Sequence, residues 1–188
     1  MGMSATESHL WTADEVRALP PERGKRFECV DGVLLVSPGP WLRHQWVHSL
    51  LLEQFIPYCR AMALGAVGGA PGELELDSRT LVQPDIFILP LVKGKLPGTQ
   101  GEAGHPLLFI EVLSPSTARY DRGVKRQKYQ RYGVEYWVAD LDARVVERWL
   151  PLDDRPSVIT DVVTWQPPGA SVALTINLAT LFAEAMGD

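Results

Sequence analysis

Hydrophobic and polar positions follow helical spacing in some segments of the chain and strand spacing in others. In chain order the pattern predicts a short helix at 12–20, a hairpin of 26–30 and 33–36, a long helix at about 42–64, short strands at 66–89, an exposed loop at 90–106, a strand at 107–113, a helix at about 121–132, strands at 136–139 and 145–149, a strand near 158–165 and a C-terminal helix at about 178–186. Because helices and strands mix without strict alternation, the predicted class is α+β, or α/β with a mixed sheet.

Residues at the ends of these segments support the boundaries. Thr12–Glu15 has the spacing of a capping box, which starts a helix. Asp31-Gly32 supplies the positive φ that a tight hairpin turn requires. Gly65 and Gly133 suit the left-handed residue that ends many helices, so we expect the two longer internal helices to end there.

Length and composition fit one globular domain. Of the 188 residues, 46% are hydrophobic and 22% are charged, which allows a core beneath an ordinary polar surface. We expect a single domain over 1–188, with 150–188 appended to it. Cys29 and Cys59 are too few for a disulfide framework or a zinc site made of cysteines. No apolar run reaches the length of a membrane span and residues 1–20 lack a signal pattern, so we expect a reduced, cytoplasmic protein.

Acidic residues outnumber basic residues, 23 against 18, which gives a formal net charge of −5. This balance argues against a protein that coats nucleic acid by charge alone. A local basic stretch remains at 119–131, where Asp121 is the sole acid. Its basic members are Arg119, Arg122, Lys125, Arg126, Lys128 and Arg131. Such a stretch is either an ordinary solvated helix face or a surface for the phosphate backbone.

One charged residue interrupts the most apolar strand. Glu111 lies inside Leu107–Leu113, which is apolar on both faces and therefore predicts a central strand. An ionised carboxylate buried there costs several kcal/mol unless it is paired or coordinated. A buried ion pair, a raised pKa and a bound metal ion are all consistent with this position.

Two further carboxylates occupy strand positions. Asp85 follows Pro84 and opens the apolar strand 86–89, whereas Glu28 lies on the first strand of the hairpin. Each has an ordinary explanation, a strand-start cap for Asp85 and an exposed hairpin position for Glu28. Together with Glu111 they suggest a site for a hard cation, since Mg²⁺ takes oxygen ligands and keeps several waters.

Lys125 follows these carboxylates on the next predicted helix, where it shares a face with Asp121. A lysine beside carboxylates can pair with them, orient a water or stabilise charge that develops on a phosphate. In the ordinary alternative, Asp121 and Lys125 form a helix ion pair worth about 0.3–0.5 kcal/mol.

These positions belong to an ordered set of motifs: Phe27-Glu-Cys-Val-Asp-Gly32, His44, Pro84-Asp85, Ile110-Glu-Val-Leu-Ser-Pro-Ser-Thr117, Asp121-Arg-Gly-Val-Lys125, Tyr129 and Gly133-Val-Glu-Tyr-Trp137. The set resembles the Uma2 family, which is classed with restriction endonucleases in the PD-(D/E)XK nuclease superfamily. The resemblance covers about 15–149. Its most specific part is the segment from Glu111 to Thr117 with Asp121, Lys125 and Tyr129 behind it.

The resemblance implies a restriction-endonuclease-like core, in which helices flank a mixed β-sheet and an N-terminal helix and β-hairpin precede it. It implies Asp85 and Glu111 as ligands of Mg²⁺, for which Mn²⁺ can substitute, Glu28 as an accessory acid and further ligand, and Lys125 as the catalytic lysine. In the wider superfamily the lysine follows the Glu on the same strand, where this chain has Leu113. The resemblance to Uma2 proteins implies that the lysine has migrated to the helix, where Lys125 lies.

The function that the resemblance implies is Mg²⁺-dependent endonucleolytic hydrolysis of DNA. We expect a homodimer, because cutting two strands calls for two sites, and neither an organic cofactor nor a membrane partner. The expected nucleic-acid contacts are Arg119, Arg122, Arg126, Lys128 and His44, the last of which matches a recurrent family histidine.

Two other functions fit the same sequence. A catalytically inactive module with the nuclease fold would bind nucleic acid or a protein partner without requiring a metal. A metal-dependent hydrolase of a smaller phosphoester would use the same carboxylates. Kinship of fold does not choose among the three, because function resides in the site.

Overall fold

A central mixed sheet with helices on both faces dominates the computed structural model, which describes residues 9–188; residues 1–8 of the predicted domain lie outside the described residues. The helices are α1 (Ala13–Arg17), α2 (Leu42–Ala61), α3 (Gln100–Ala103), α4 (Ala118–Tyr120), α5 (Arg126–Tyr132) and α6 (Leu178–Met186), with a π-helical turn at Asp121–Lys125. The strands are β1 (Lys25–Val30), β2 (Val33–Pro38), β3 (Gly65–Gly69), β4 (Leu74–Asp77), β5 (Thr80–Val82), β6 (Ile86–Pro90), β7 (Leu108–Val112), β8 (Glu135–Asp140), β9 (Val145–Trp149), β10 (Ser157–Ile159), β11 (Val162–Trp165) and β12 (Leu174–Asn177).

The strands form three sheets. The central sheet has six strands in the order β10-β9-β8-β7-β6-β3, with β7 and β8 parallel and the other neighbours antiparallel. The predicted hairpin β1–β2 joins β5 and β4 in a four-stranded antiparallel sheet of order β2-β1-β5-β4, while β11 and β12 pair with each other. A mixed sheet flanked by helices confirms the predicted α+β class.

Side chains of β6 and β7 alternate between two apolar cores. Ile86 and Ile110 face the core that contains α2 and α6. Phe87 and Phe109 face the opposite side, where Phe109 packs against Tyr129 of α5. Every residue of β7 is buried, so its uninterrupted apolar run reflects a strand that is covered on both faces.

Helix α2 ends earlier than its sequence pattern predicts. Ala63 adopts a left-handed φ of 50° and stops the helix, so Gly65 is not its cap. Gly65 instead begins β3, where a Cβ atom would lie 2.3 Å from the Leu89 carbonyl oxygen of β6. The absence of a side chain at this position allows the close approach of two strands, a long-range requirement that local patterning does not reveal.

Three other segments differ from the prediction. The loop 90–106 contains α3, whose first turn is capped by the Thr99 side chain. The strand near 158–165 is two strands, β10 and β11, and β12 was not predicted. The helix predicted at 121–132 begins at 118 and is broken at Gly123, whose φ of −105° and ψ of −106° are not helical.

Over residues 9–188, no helix combines the length and apolar character that crossing a membrane requires.

Candidate active site

Strands β6 and β7 place Asp85 and Glu111 side by side. Ile86 pairs with Ile110 in the antiparallel ladder, and extending this register by one residue sets Asp85 opposite Glu111. Directly opposite side chains of an antiparallel pair share one face of the sheet. The Asp85 backbone N–H donates to Glu111 Oε2 at 3.3 Å, so the two residues meet at one end of this face.

The four-stranded sheet supplies the third predicted carboxylate. Glu28 lies on β1, and its Oε1 accepts a hydrogen bond of 2.7 Å from the Gln83 backbone N–H, just before β6. Glu28 is 4% exposed. Glu28 is therefore buried, and the ordinary explanation of an exposed hairpin residue does not apply to it.

The Lys125 ammonium lies among the carboxylates. Its Nζ donates to Glu111 Oε1 at 2.8 Å, and it lies 2.9 Å from Glu28 Oε1 and 3.7 Å from Asp121 Oδ1. The Tyr129 hydroxyl also donates to Glu111 Oε1, at 3.3 Å. Lys125 and Asp121 both belong to the π-helical turn, which presents them to the sheet.

Asp85 is held by a separate set of donors. Arg26 Nη1 lies 3.2 Å from its Oδ1, and His44 Nε2 lies 2.9 Å from its Oδ2. The Val112 backbone N–H donates to the same Oδ2 at 2.9 Å. His48 adds a contact of 2.9 Å to the Asp85 carbonyl oxygen. Both oxygens of this carboxylate are thereby fixed in position.

These side chains surround a cavity of about 30 Å³, which we call the carboxylate cavity. This volume suffices for a water-sized species. Nine polar or charged side chains are buried among residues 9–188, and seven of them line this cavity. The seven are Glu28, Ser37, His44, Asp85, Glu111, Asp121 and Lys125. Because burying polar groups is unfavourable, their concentration at one place makes this cavity the candidate functional site.

Burial and mutual repulsion shift the pKa values of the cluster. Burial, together with the charges of neighbouring carboxylates, raises the pKa of Glu111 well above its usual value, although Lys125 opposes this. Burial likewise raises the pKa of Asp121 to about 6 against the opposing charge of Lys125. Burial lowers the pKa of Lys125, but Glu111, Glu28 and Asp121 outweigh it and raise that pKa well above normal.

The pKa of Asp85 shifts in the opposite direction. Burial raises its pKa, but His44, Arg26 and the Val112 N–H outweigh burial and hold the pKa well below its usual range. Asp85 is therefore ionised, while Glu111 and Asp121 resist ionisation. The two carboxylates differ because burial and the charges of neighbouring carboxylates outweigh the Lys125 ammonium at Glu111, whereas at Asp85 the donors outweigh burial.

The side-chain chemistry of this cavity, but not its arrangement, matches a hard divalent cation. Four buried carboxyl groups, Glu28, Asp85, Glu111 and Asp121, line the cavity together with Arg26 and Lys125. Carboxylate oxygens are the ligands that Mg²⁺ prefers. Among residues 9–188, however, no group of three or more His, Cys, Asp or Glu side chains is placed to hold a metal ion. Arg26 and Lys125 instead pair with Asp85 and Glu111.

Comparison with known proteins places this chain in a family. The family model Uma2, described as "Putative restriction endonuclease", matches residues 13–179. The chain belongs to the Uma2 family. This confirms the resemblance, and the match extends past the predicted limit of about 149 to include β10, β11, β12 and the start of α6.

A solved structure shares the fold of this Uma2 protein. It is described as the crystal structure of a "putative nuclease belonging to DUF820" from Anabaena variabilis ATCC 29413. The TM-score is 0.72 at 21% sequence identity, and the likeness covers 93% of this chain and 99% of that chain. At this identity the likeness concerns the fold alone. No curated protein matches the chain significantly.

Most of the buried polar residues that line the carboxylate cavity belong to the Uma2 motifs. All four residues predicted as catalytic, Glu28, Asp85, Glu111 and Lys125, line the carboxylate cavity, and their roles stay predictions. Sequence reasoning did not include Arg26 in the site, because one basic residue on a hairpin strand carries no distinguishing signal. It gave Asp121 no role in the site and considered it only as a possible helix partner of Lys125, although Asp121 is 2% exposed and lies in the same motif.

Most of the predicted DNA-binding residues contact other side chains within the protein. Arg122 pairs with Asp140 and Glu147 at 2.6 Å. Arg126 stacks on the Trp149 ring at 4.5 Å, and Lys128 pairs with two acids, Asp31 and Asp77. Arg119 is exposed and forms no ion pair with any residue in 9–188. His44 lines the carboxylate cavity, and the nucleic-acid role of all five residues stays a prediction.

Proposed function

We propose that this protein is a Mg²⁺-dependent endonuclease that hydrolyses DNA phosphodiester bonds at the carboxylate cavity. The observation that carries the proposal is that three carboxylates from separate segments line one cavity: Glu28 and Glu111 contact the Lys125 ammonium, and the Asp85 backbone N–H donates to Glu111. The family description as a restriction endonuclease supports DNA as the substrate.

The carboxylates are the proposed metal ligands. Asp85 and Glu111 would hold Mg²⁺, with Glu28 as a further oxygen donor, and Mn²⁺ is expected to substitute for it. Such a cation, when bound, polarises the scissile phosphate and lowers the pKa of a coordinated water. Arg26 and His44 orient Asp85 for this task through their contacts of 3.2 Å and 2.9 Å.

Lys125 is the proposed catalytic lysine. A phosphate at the carboxylate cavity gains negative charge in the transition state, and a pre-positioned ammonium stabilises that charge. Glu111, Glu28 and Asp121 keep Lys125 protonated and fix its position. The Tyr129 hydroxyl donates to the same Glu111 oxygen that Lys125 contacts.

The proposed DNA contacts include Arg119, Arg122, Arg126, Lys128 and His44. Contacts from such residues to phosphates are independent of base sequence and sensitive to salt. Arg119 is available without breaking an ion pair, whereas Arg122 and Lys128 would have to leave their acidic partners. We therefore expect the largest phosphate contribution from Arg119.

A specific observation favours the alternative of a nuclease-fold module that binds DNA without cutting it. Arg26 and His44 contact the Asp85 carboxylate, and Lys125 contacts the Glu111 carboxylate. These carboxylates therefore already have partners within the protein. Such a module would bind DNA equally well with and without a divalent cation.

Cleavage of supercoiled plasmid separates these functions. We expect nicking or linearisation with Mg²⁺ or Mn²⁺ and none with EDTA. Asp85→Asn and Glu111→Gln should abolish cleavage, and Lys125→Met should slow it about 100-fold or more, as loss of one transition-state donor does elsewhere. Glu53→Gln, on an exposed position of α2, is the matched control. Binding of DNA without cation-dependent cleavage favours the module instead.

We also propose that the active form is a homodimer, since two sites allow both strands of a duplex to be cut. Sedimentation velocity at micromolar concentration tests this. A protein that remains monomeric both alone and with DNA contradicts it, whereas a dimer that forms on DNA supports it.

A further inference from the structure

A second pocket, of about 360 Å³, opens beside the carboxylate cavity. The two share His44 and Ser114 in their walls. The two spaces therefore lie next to each other, on either side of His44 and Ser114. We call it the Trp41 pocket, after its most exposed large side chain.

Two exposed side chains at the start of α2 line the Trp41 pocket. Trp41 caps the helix and is 71% exposed, although a tryptophan is usually largely buried. Arg43 follows on the first turn, is exposed, and forms no ion pair with any residue in 9–188. Neither residue contributes to the core, so packing does not explain their presence at this position.

The remaining wall of the Trp41 pocket combines apolar surface with a polar edge. Leu113 and Leu141 supply apolar surface and the exposed Asp142 supplies carboxylate acceptors, whereas the Asp140 oxygens already accept from Arg122 and the Ala143 N–H. Arg122 adds a donor that is held in place by its ion pairs. An aromatic face with donors and acceptors around it suits a flat, partly polar ring. A nucleobase has this chemistry, and it stacks on tryptophan and arginine.

A larger groove adjoins the carboxylate cavity elsewhere. It has a volume of about 680 Å³ and shares Arg26, Pro40 and Asp85 with the cavity. The open groove and the Trp41 pocket thus both border the carboxylate cavity. A nucleic-acid strand that lies over the cavity can place its backbone in the groove and a base in the pocket.

We propose that the Trp41 pocket binds an unpaired nucleobase of the DNA substrate, adjacent to the phosphate at the carboxylate cavity. The proposal rests on the proposed nuclease function and narrows its substrate to DNA that is single-stranded or locally unpaired. A base inside a duplex has both faces covered by its neighbours, so only a base outside the helix can offer a face to Trp41.

Equilibrium binding in EDTA tests this without cleavage. The probes are a labelled oligothymidylate and an abasic oligomer of the same length, measured by fluorescence anisotropy with the full-length protein. Trp41→Ala should weaken oligothymidylate binding about tenfold and leave abasic binding unchanged, because stacking requires a base. Trp41→Phe should restore most of the affinity. Trp46→Ala is the matched control, since Trp46 is 53% exposed on the same helix but lines none of these three spaces.

The outcomes separate this proposal from the nuclease proposal. If Trp41→Ala weakens both oligomers equally, or neither, the nucleobase assignment is overturned, whatever the plasmid assay shows. If Trp41→Ala instead converts a dimer to a monomer in sedimentation, the pocket receives a second copy of the chain and the assignment is also overturned. Base-dependent binding that requires Trp41, found in a protein without cleavage activity, keeps the nucleobase site and overturns only the catalytic role.

Discussion

Lys125 Nζ lies 2.8 Å from Glu111 Oε1, although β7 carries the carboxylate and the helical segment after it carries the ammonium. Glu28 and Asp121 complete the surroundings at 2.9 Å and 3.7 Å. One buried ammonium thus lies within 4 Å of three buried carboxyl groups. The folding of this region therefore depends on Lys125 as much as its proposed chemistry does.

Replacing Lys125 with methionine should destabilise the fold. Lys125→Met keeps the length of the side chain but leaves buried carboxylates without their ammonium, which costs about 3–5 kcal/mol when one partner of a buried ion pair is removed. Urea denaturation at neutral pH measures the free energy of unfolding. Lys95→Met, at an exposed loop position, should change it by less than about 0.5 kcal/mol. Equal stabilities for the two variants would show that the contact contributes nothing.

Mg²⁺ should stabilise the folded protein through the carboxylate cavity. A ligand present at about 100 times its Kd adds about 2.7 kcal/mol to stability, which raises Tm. Differential scanning calorimetry with and without the ion detects this increase. Glu111→Gln should remove it, whereas Glu53→Gln should retain it. A Tm increase that survives Glu111→Gln would place the bound ion elsewhere.

Arg119 and Arg122 should respond differently to truncation. Arg119→Ala should weaken DNA binding uniformly across sequences and reduce the slope of log affinity against log salt by about one, because one phosphate contact is lost. Arg122→Ala should mainly lower the stability of the protein, since its guanidinium holds Asp140 and Glu147. Salt titrations of binding and urea denaturation measure the two effects, and an Arg122→Ala variant of unchanged stability would contradict this assignment.

The ion pair of Arg122 with Asp140 should make stability depend on pH. Burial raises the pKa of Asp140, but the Ala143 N–H and Arg122 outweigh it and hold that pKa below its usual value. The ionised form therefore stabilises the folded protein above the pKa of the unfolded chain, and this contribution is lost as pH falls through the lower folded pKa.

Asp140→Asn tests this dependence. The variant should be less stable than the natural protein at about pH 7, and the difference should shrink as pH falls below about 4, the ordinary pKa of an aspartate, and on through the lower folded pKa. Asp154→Asn, at an exposed position, is the control and should show no such convergence. A difference in unfolding free energy that stays constant with pH would exclude ionisation as its cause.

Elements with their own local signals were predictable from sequence. The hairpin β1–β2 follows from Asp31-Gly32, whose φ values of 50° and 81° are those of the expected tight turn. Gly133 ends α5 with a φ of 83°, as its position predicts. The end of α2 and the strand β12 depend instead on partners distant in the chain, the Leu89 carbonyl for Gly65 and the strand β11 for β12. Local patterning does not contain these contacts.

Glu28, Asp85 and Glu111 could be recognised from the sequence as carboxylates in strand segments, since a charge within an apolar run is visible locally and is costly to bury. Their meeting with Lys125 in one cavity could not, because strand register and the packing of two sheets bring these side chains together. The same holds for the ion pairs that tie Arg122 to two other strands. The order of charges along a helix does not specify which of them meet an acid and which meet water.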